Sequence, residues 1–106
     1  MTQALVVLTT LGNEADARSF ITGLLEARLI GCGTMLPGAR SWYRWEGTQQ
    51  EESEVVVLLK TEAAKWDALR SAIEQRHPYQ VPELLALPAV HGLDRYLSWL
   101  ASEVTT

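Results

Sequence analysis

From Gln3 to Thr10 the chain reads QALVVLTT, a continuous apolar and β-branched run of strand length. A run without polar alternation suits a strand covered on both faces, which predicts a place in the middle of a sheet. The period then changes. Ala17, Phe20, Ile21, Leu24 and Leu25 recur at helical spacing behind Asn13, an N-cap residue with Asp16 three positions on. A helix from about Glu14 to Leu29 follows, and Gly31 and Gly33 are read as ending it. Cys32 between them opens a second strand to Leu36, after which Pro37-Gly38 bends the chain.

From Arg40 the pattern turns to alternation. Trp42, Arg44 and Glu46 interleave with Ser41, Tyr43 and Trp45, a polar patch Gly47-Thr48-Gln49-Gln50 intervenes, and Val55 to Leu59 return as an apolar run. This predicts a β-hairpin. Arms of about ten residues at roughly 3.3 Å each approach the diameter of a domain with a radius of gyration near 13 Å, so the ribbon should project. Projecting strand edges that carry two Trp and one Tyr call for a covering partner, and self-association is the first inference.

Thr61 is read as the cap of a second helix in which Trp66, Leu69 and Ile73 share a face, ending near Arg76 because Pro78 disfavours helical geometry at His77. Two prolines stiffen the loop His77–Pro82, Glu83 to Leu87 reads as a short strand, and Leu93, Tyr96, Leu97, Leu100 and Val104 mark a C-terminal helix. The order β-α-β-β-α-β plus a helix is the α+β, ferredoxin-like arrangement, with two helices on one face of an antiparallel sheet. The added helix carries an apolar stripe that must lie on the open sheet face or on a neighbour.

At 106 residues, with 47% apolar and 21% charged positions, the chain is expected to form one domain spanning 1–106. No apolar run exceeds the five residues of Val55–Leu59, so a membrane-spanning segment is not expected. The net charge of −4, with scattered Arg and Lys, argues against a nucleic-acid partner. The lone Cys32 favours a reducing, cytoplasmic setting. GxSxG, GxxxxGK[ST], HExxH and paired-Cys motifs are lacking, so no enzymatic activity is expected.

Six stretches occur in order: VVLTT, LLEARLIGC, SWYRWEG, SEVVVLLKT, HPYQVPELLALP and YLSWL. With them the chain resembles the CutA divalent-cation tolerance proteins over nearly its whole length. The resemblance implies a homotrimer in which each hairpin extends the next subunit's sheet, an architecture like that of the PII signalling proteins, and a link to copper and other divalent cations. In enterobacterial members, copper is thought to be held by a Cys late in the first strand and two consecutive His before the Pro-Tyr pair. Those positions here are Thr9, Arg76 and His77. Arg76 stays protonated and cannot ligate, and Thr9 lacks the soft thiolate that favours copper.

His77 is the leading metal candidate, its imidazole suiting Cu, Zn or Ni; the alternative is a histidine that hydrogen-bonds near a helix C-terminus. Cys32 is a substitute soft ligand, or else a small buried apolar residue. Tyr43, Trp45, Lys60, Tyr79 and Glu83 are expected to line a pocket between subunits fit for a small anionic or zwitterionic ligand. The same residues suit a Lys60–Glu83 salt bridge that locks the subunits in register. Glu51, Glu52 and Glu54 read as a charged hairpin tip, able to attract divalent cations loosely or simply to deter aggregation. The expected function is therefore divalent-cation, chiefly copper, tolerance by a homotrimer that needs no obligatory cofactor. A PII-like sensor and a trimeric scaffold for another protein are the rivals.

Overall fold

A computed structural model describes residues 3–104. The elements run β1 (Ala4–Leu11), α1 (Glu14–Glu26), β2 (Cys32–Trp45), β3 (Thr48–Glu62), a 3-10 turn at Ala63–Lys65, α2 (Trp66–Arg76), β4 (Leu85–Pro88) and α3 (Asp94–Val104). One antiparallel sheet has the order β2-β3-β1-β4. The α+β, ferredoxin-like expectation is met, and β1 does lie inside the sheet.

Alternation decides which side chains meet the helices. Val7, Leu11, Val55, Val57 and Leu59 are buried with Ala17, Phe20, Ile21 and Leu24 of α1 and Leu69 and Ile73 of α2. Partnered residues share a face, so the opposite face reads across the strands as Thr34, Leu58, Leu8, Leu85 and, one row over, Cys32, Lys60, Val6, Leu87. Among the described residues no helix covers its outer part: Leu36, Leu85 and Leu87 stay half exposed. At the other end α3 packs on β3 and β1. Its stripe is divided, Leu100 and Val104 being buried while Leu93, Tyr96 and Trp99 remain exposed.

Four local readings need correction. The first helix stops at Glu26, before Gly31, because Arg28 takes the left-handed conformation (φ 57) usually given to glycine. Arg28 N–H then donates to Leu25 O and Leu29 N–H to Leu24 O, a Schellman closure that satisfies the last carbonyls. Thr61 caps nothing; β3 runs on to Glu62 opposite Ala4, and the Thr61 hydroxyl donates to Leu29 O at 2.7 Å. Pro37-Gly38 does not separate two strands but forms a bulge within β2, which as an edge strand tolerates a proline. The fourth strand is Leu85–Pro88, shifted from Glu83–Leu87.

Gly33 has a different task from ending a helix. A Cβ there would lie 2.5 Å from Ile21 Cγ2 and 3.4 Å from Leu59 Cδ2, so its lack of a side chain lets α1 settle on the sheet. Gly33→Ala is expected to cost about 1–3 kcal/mol through overpacking, read as a lower urea midpoint at unchanged m-value.

The hairpin turns on Glu46 and Gly47, both at positive φ (50 and 79), with Trp45 paired to Thr48. This two-residue turn matches the strand twist. It moves the tip away from Glu51, Glu52 and Glu54, which sit on the return arm opposite Trp42, Ser41 and Ala39. The ribbon lengthens the molecule to 44 × 26 × 23 Å. Tyr43 and Trp45 share one face of it and Trp42 occupies the other, and all three are exposed.

Candidate functional site

The chemistry gathers where the loop after α2 crosses the ends of β1 and β3. α2 closes with His77 N–H donating to Ile73 O at 2.8 Å, and the extended conformation demanded before Pro78 (φ −74, ψ 132) turns the ring under β1. There His77 Nε2 lies 2.8 Å from Thr10 O and 3.2 Å from Thr9 Oγ1, while Tyr79 N–H donates to Nδ1 at 3.2 Å. A carbonyl only accepts and a peptide N–H only donates, so the ring is assigned as neutral with its proton on Nε2. Phe20 and Tyr79 rings meet it edge-on, with centroids 5.7 and 4.8 Å away.

Burial pushes the His77 pKa below 6.5, outweighing the bond to Thr10 and the charge of Glu54, which act the other way. The unfolded chain therefore takes up the proton first as pH falls. Stability fully present above about pH 6.5 is lost as pH drops through the lower folded-state value. The melting temperature of the parent should fall from pH 7.5 towards pH 5 more steeply than that of His77→Gln, and parallel curves would contradict this.

Beyond His77 the loop reaches the ribbon. The Tyr79 hydroxyl donates to Glu54 Oε2 at 2.8 Å, and the Tyr43 hydroxyl donates to Glu52 Oε1 at 3.1 Å. Both phenols are pushed up, Tyr79 strongly, by burial first and then by these bonds and the surrounding carboxylate charge. Two adjoining cavities of about 380 and 330 Å3 share Tyr43, Tyr79 and Val81. Trp45 and Glu52 belong to one, and Thr10, Glu54 and Glu83 to the other.

Four of the five pocket residues expected from sequence, Tyr43, Trp45, Tyr79 and Glu83, thus come together within one chain. Lys60 does not. It lies on the sheet face opposite α1 and α2, towards α3, with Nζ 3.9 Å from Cys32 Sγ, and ion pairs among the described side chains are Arg40–Glu51 and Arg70–Glu74. As one chain builds it, the pocket is acidic and aromatic. Glu54, only 8% exposed, is a buried carboxylate with a phenol and no cation beside it among the described residues. Sequence reasoning missed this, because a Glu in a charged run looks solvated and the tyrosine that covers it lies 25 residues away.

Of the three positions to which the resemblance assigns copper ligands, Thr9 and His77 touch, while Arg76, next to His77 in the chain, sends its guanidinium over Gly23 of α1. The donors do not fit the ion. Thr9 is fully buried and hydrogen-bonded, both nitrogens of His77 are engaged, and Arg76 is a permanent cation. Cys32 stands apart from them, near Lys60 and Tyr96. Among the described residues no three His, Cys, Asp or Glu side chains are grouped to hold a metal ion.

The profile of a known family, described as CutA1 divalent ion tolerance protein, matches residues 5–103. A divalent-cation tolerance protein CutA from Citrobacter koseri is 47% identical over 98 residues, covering 92% of this chain and 85% of the relative. The solved divalent cation tolerance protein (Cut A1) of Thermus thermophilus superposes with a TM-score of 0.91 at 39% identity, covering 94% of this chain and 97% of the other. A CutA from Archaeoglobus fulgidus, described as a periplasmic divalent cation tolerance protein, gives a TM-score of 0.93 at 26% identity, covering 96% and 99%.

Proposed function

The chain belongs to the CutA1 divalent ion tolerance family, and from that premise we propose that it acts as a homotrimer that binds divalent cations, copper among them, in metal tolerance or homeostasis, without carrying out chemistry. The observation that carries the assembly is a mismatch within one chain. Among the described residues Lys60 has no carboxylate, Glu54 has no cation, and Leu36, Leu85 and Leu87 of the sheet and Trp42, Tyr43 and Trp45 of the ribbon stay exposed. An uncompensated buried charge is costly. A head-to-tail contact, ribbon of one copy against the open sheet face of the next, brings unlike patches together and closes into a ring.

Metal binding then falls to groups that assembly brings together. Cys32, half-buried in the row with Lys60, is the soft donor on offer, and His77 joins only by giving up its bond to Thr10 O or the one it accepts from Tyr79 N–H. The thiol also suits a reducing compartment, so we place the protein in the cytoplasm, unlike the Archaeoglobus relative; no helix among the described residues is long and apolar enough to cross a membrane.

Light scattering at micromolar concentration tests the trimer, and a monomer would sink it. Calorimetric titration with Cu(II), Zn(II) and Ni(II), parent beside Cys32→Ser and His77→Ala, tests the sites. Absence of heat with all three metals overturns the binding reading, and unchanged affinity in both variants removes these residues from it.

The cavities at Tyr43 and Tyr79 favour a second reading, the PII-like sensor. Because their carboxylates are unmatched in one chain, a ligand there must bring positive charge unless Lys60 of a neighbouring copy supplies it. A thermal-shift screen of amines, nucleotides and carboxylates separates the cases, and a flat response discards the sensor.

A further inference from the structure

On the helix-bearing side of the sheet, a groove of about 520 Å3 runs along α1 where the end of α2 meets it. Asp16, Ser19, Gly23 and Glu26 line it at three- and four-residue steps, so they stand in one row on the helix. Leu11, Phe20 and Pro78 give it an apolar floor. Arg76 lies across the row, its Nη1 only 2.7 Å from where a Gly23 Cβ would sit. The glycine is what lets the guanidinium rest there.

Neither Arg76 nor Glu26 takes part in the ion pairs of the described residues, although both line the groove. A free guanidinium presents paired donors that match a carboxylate. A simple anion would also face Asp16 and Glu26, and a simple cation would face Arg76. A molecule with both charges meets both demands. Glu26 lies three residues beyond Gly23 in the same row, so the groove offers a carboxylate close to the guanidinium that rests over Gly23.

We propose that this groove binds a zwitterionic α-amino acid with an apolar side chain: carboxylate on Arg76, ammonium on Glu26, side chain over Phe20, Leu11 and Pro78. The site lies on the opposite side of the sheet from the face offered for assembly, so it stands whether or not the trimer does.

The test is a 1H–15N correlation titration of the full-length protein with L-leucine to about 20 mM, beyond the millimolar range typical of so small a ligand. Saturable shifts along Ser19–Glu26 are expected. Leucinamide, which keeps only the ammonium, and 4-methylpentanoate, which keeps only the carboxylate, should each bind at least about 10-fold more weakly, because each leaves one charged group unmatched. Arg76→Gln and Gly23→Ala should abolish the shifts. Alanine favours a helix interior over glycine, so Gly23→Ala should match or exceed the parent's melting temperature, separating a blocked groove from a damaged fold. Shifts absent from α1, a single-charge analogue binding as tightly as leucine, or parent-like binding by Arg76→Gln would overturn the proposal.

Discussion

A Thr9→Cys, Arg76→His double variant is expected to bind copper at least about 100-fold more tightly than the parent chain. Changing a residue that merely supports a metal's ligands moves affinity about 10–100-fold, and here two ligands themselves are restored together. Two of the positions already meet, Thr9 Oγ1 being 3.2 Å from His77 Nε2, and residue 76 adjoins His77 at the end of α2, where a shorter histidine would not reach over Gly23 as the arginine does. Cysteine is close to threonine in size and tolerates full burial, which Thr9 experiences. A histidine in the last turn of a helix suits the partial negative charge there. The ion must displace the Nε2 proton from Thr10 O, so the gain should grow as pH rises and the thiolate forms. Competition against a chelator of known affinity measures it. Parent-like binding would mean that position 9 does not face the metal as the resemblance implies.

The second large effect belongs to the ribbon. Trp45→Ala should weaken assembly by about 3–5 kcal/mol for each indole buried by a neighbour, or roughly 100- to 4,000-fold in dissociation constant at 1.4 kcal/mol per decade. Trp45 is 41% exposed in the single chain and near the hairpin turn, so little of the chain's own core depends on it. Dilution experiments by light scattering should show dissociation in the variant at concentrations where the parent stays assembled. An unchanged particle size and melting temperature would place the indole in solvent.

Element order was legible in the sequence because each segment holds one period long enough to read: the unbroken β1 run, the stripe of α1 and the alternation of the ribbon. Boundaries were less so. Arg28 takes a glycine's conformation because the Schellman bonds and a contact from its Nη1 to Glu103 O hold it, and no local signal announces that. Thr61 looked like a cap, yet its pairing with Leu5 in the ladder prevailed over local propensity. The pairing of His77 with Thr9 was legible only through the family resemblance, since 68 residues separate them. Glu54 resisted both routes: its burial depends on a loop that reaches it from the far side of β1.

The turn at Glu46-Gly47 also has a bearing on the order in which the polypeptide gains shape. It joins the longest ladder of the sheet with no intervening loop, so those arms can zip from the turn outward in roughly 1–10 μs. Pairing β1 with β4 must instead wait for segments such as Leu8 and Leu85 to find each other across most of the chain. A sticky, aromatic ribbon is therefore ready before the body that anchors it, and a nascent molecule is most exposed to the wrong neighbour during that interval. The carboxylates of Glu46, Glu51 and Glu52 on that ribbon are well placed to keep early copies apart until their cores have closed.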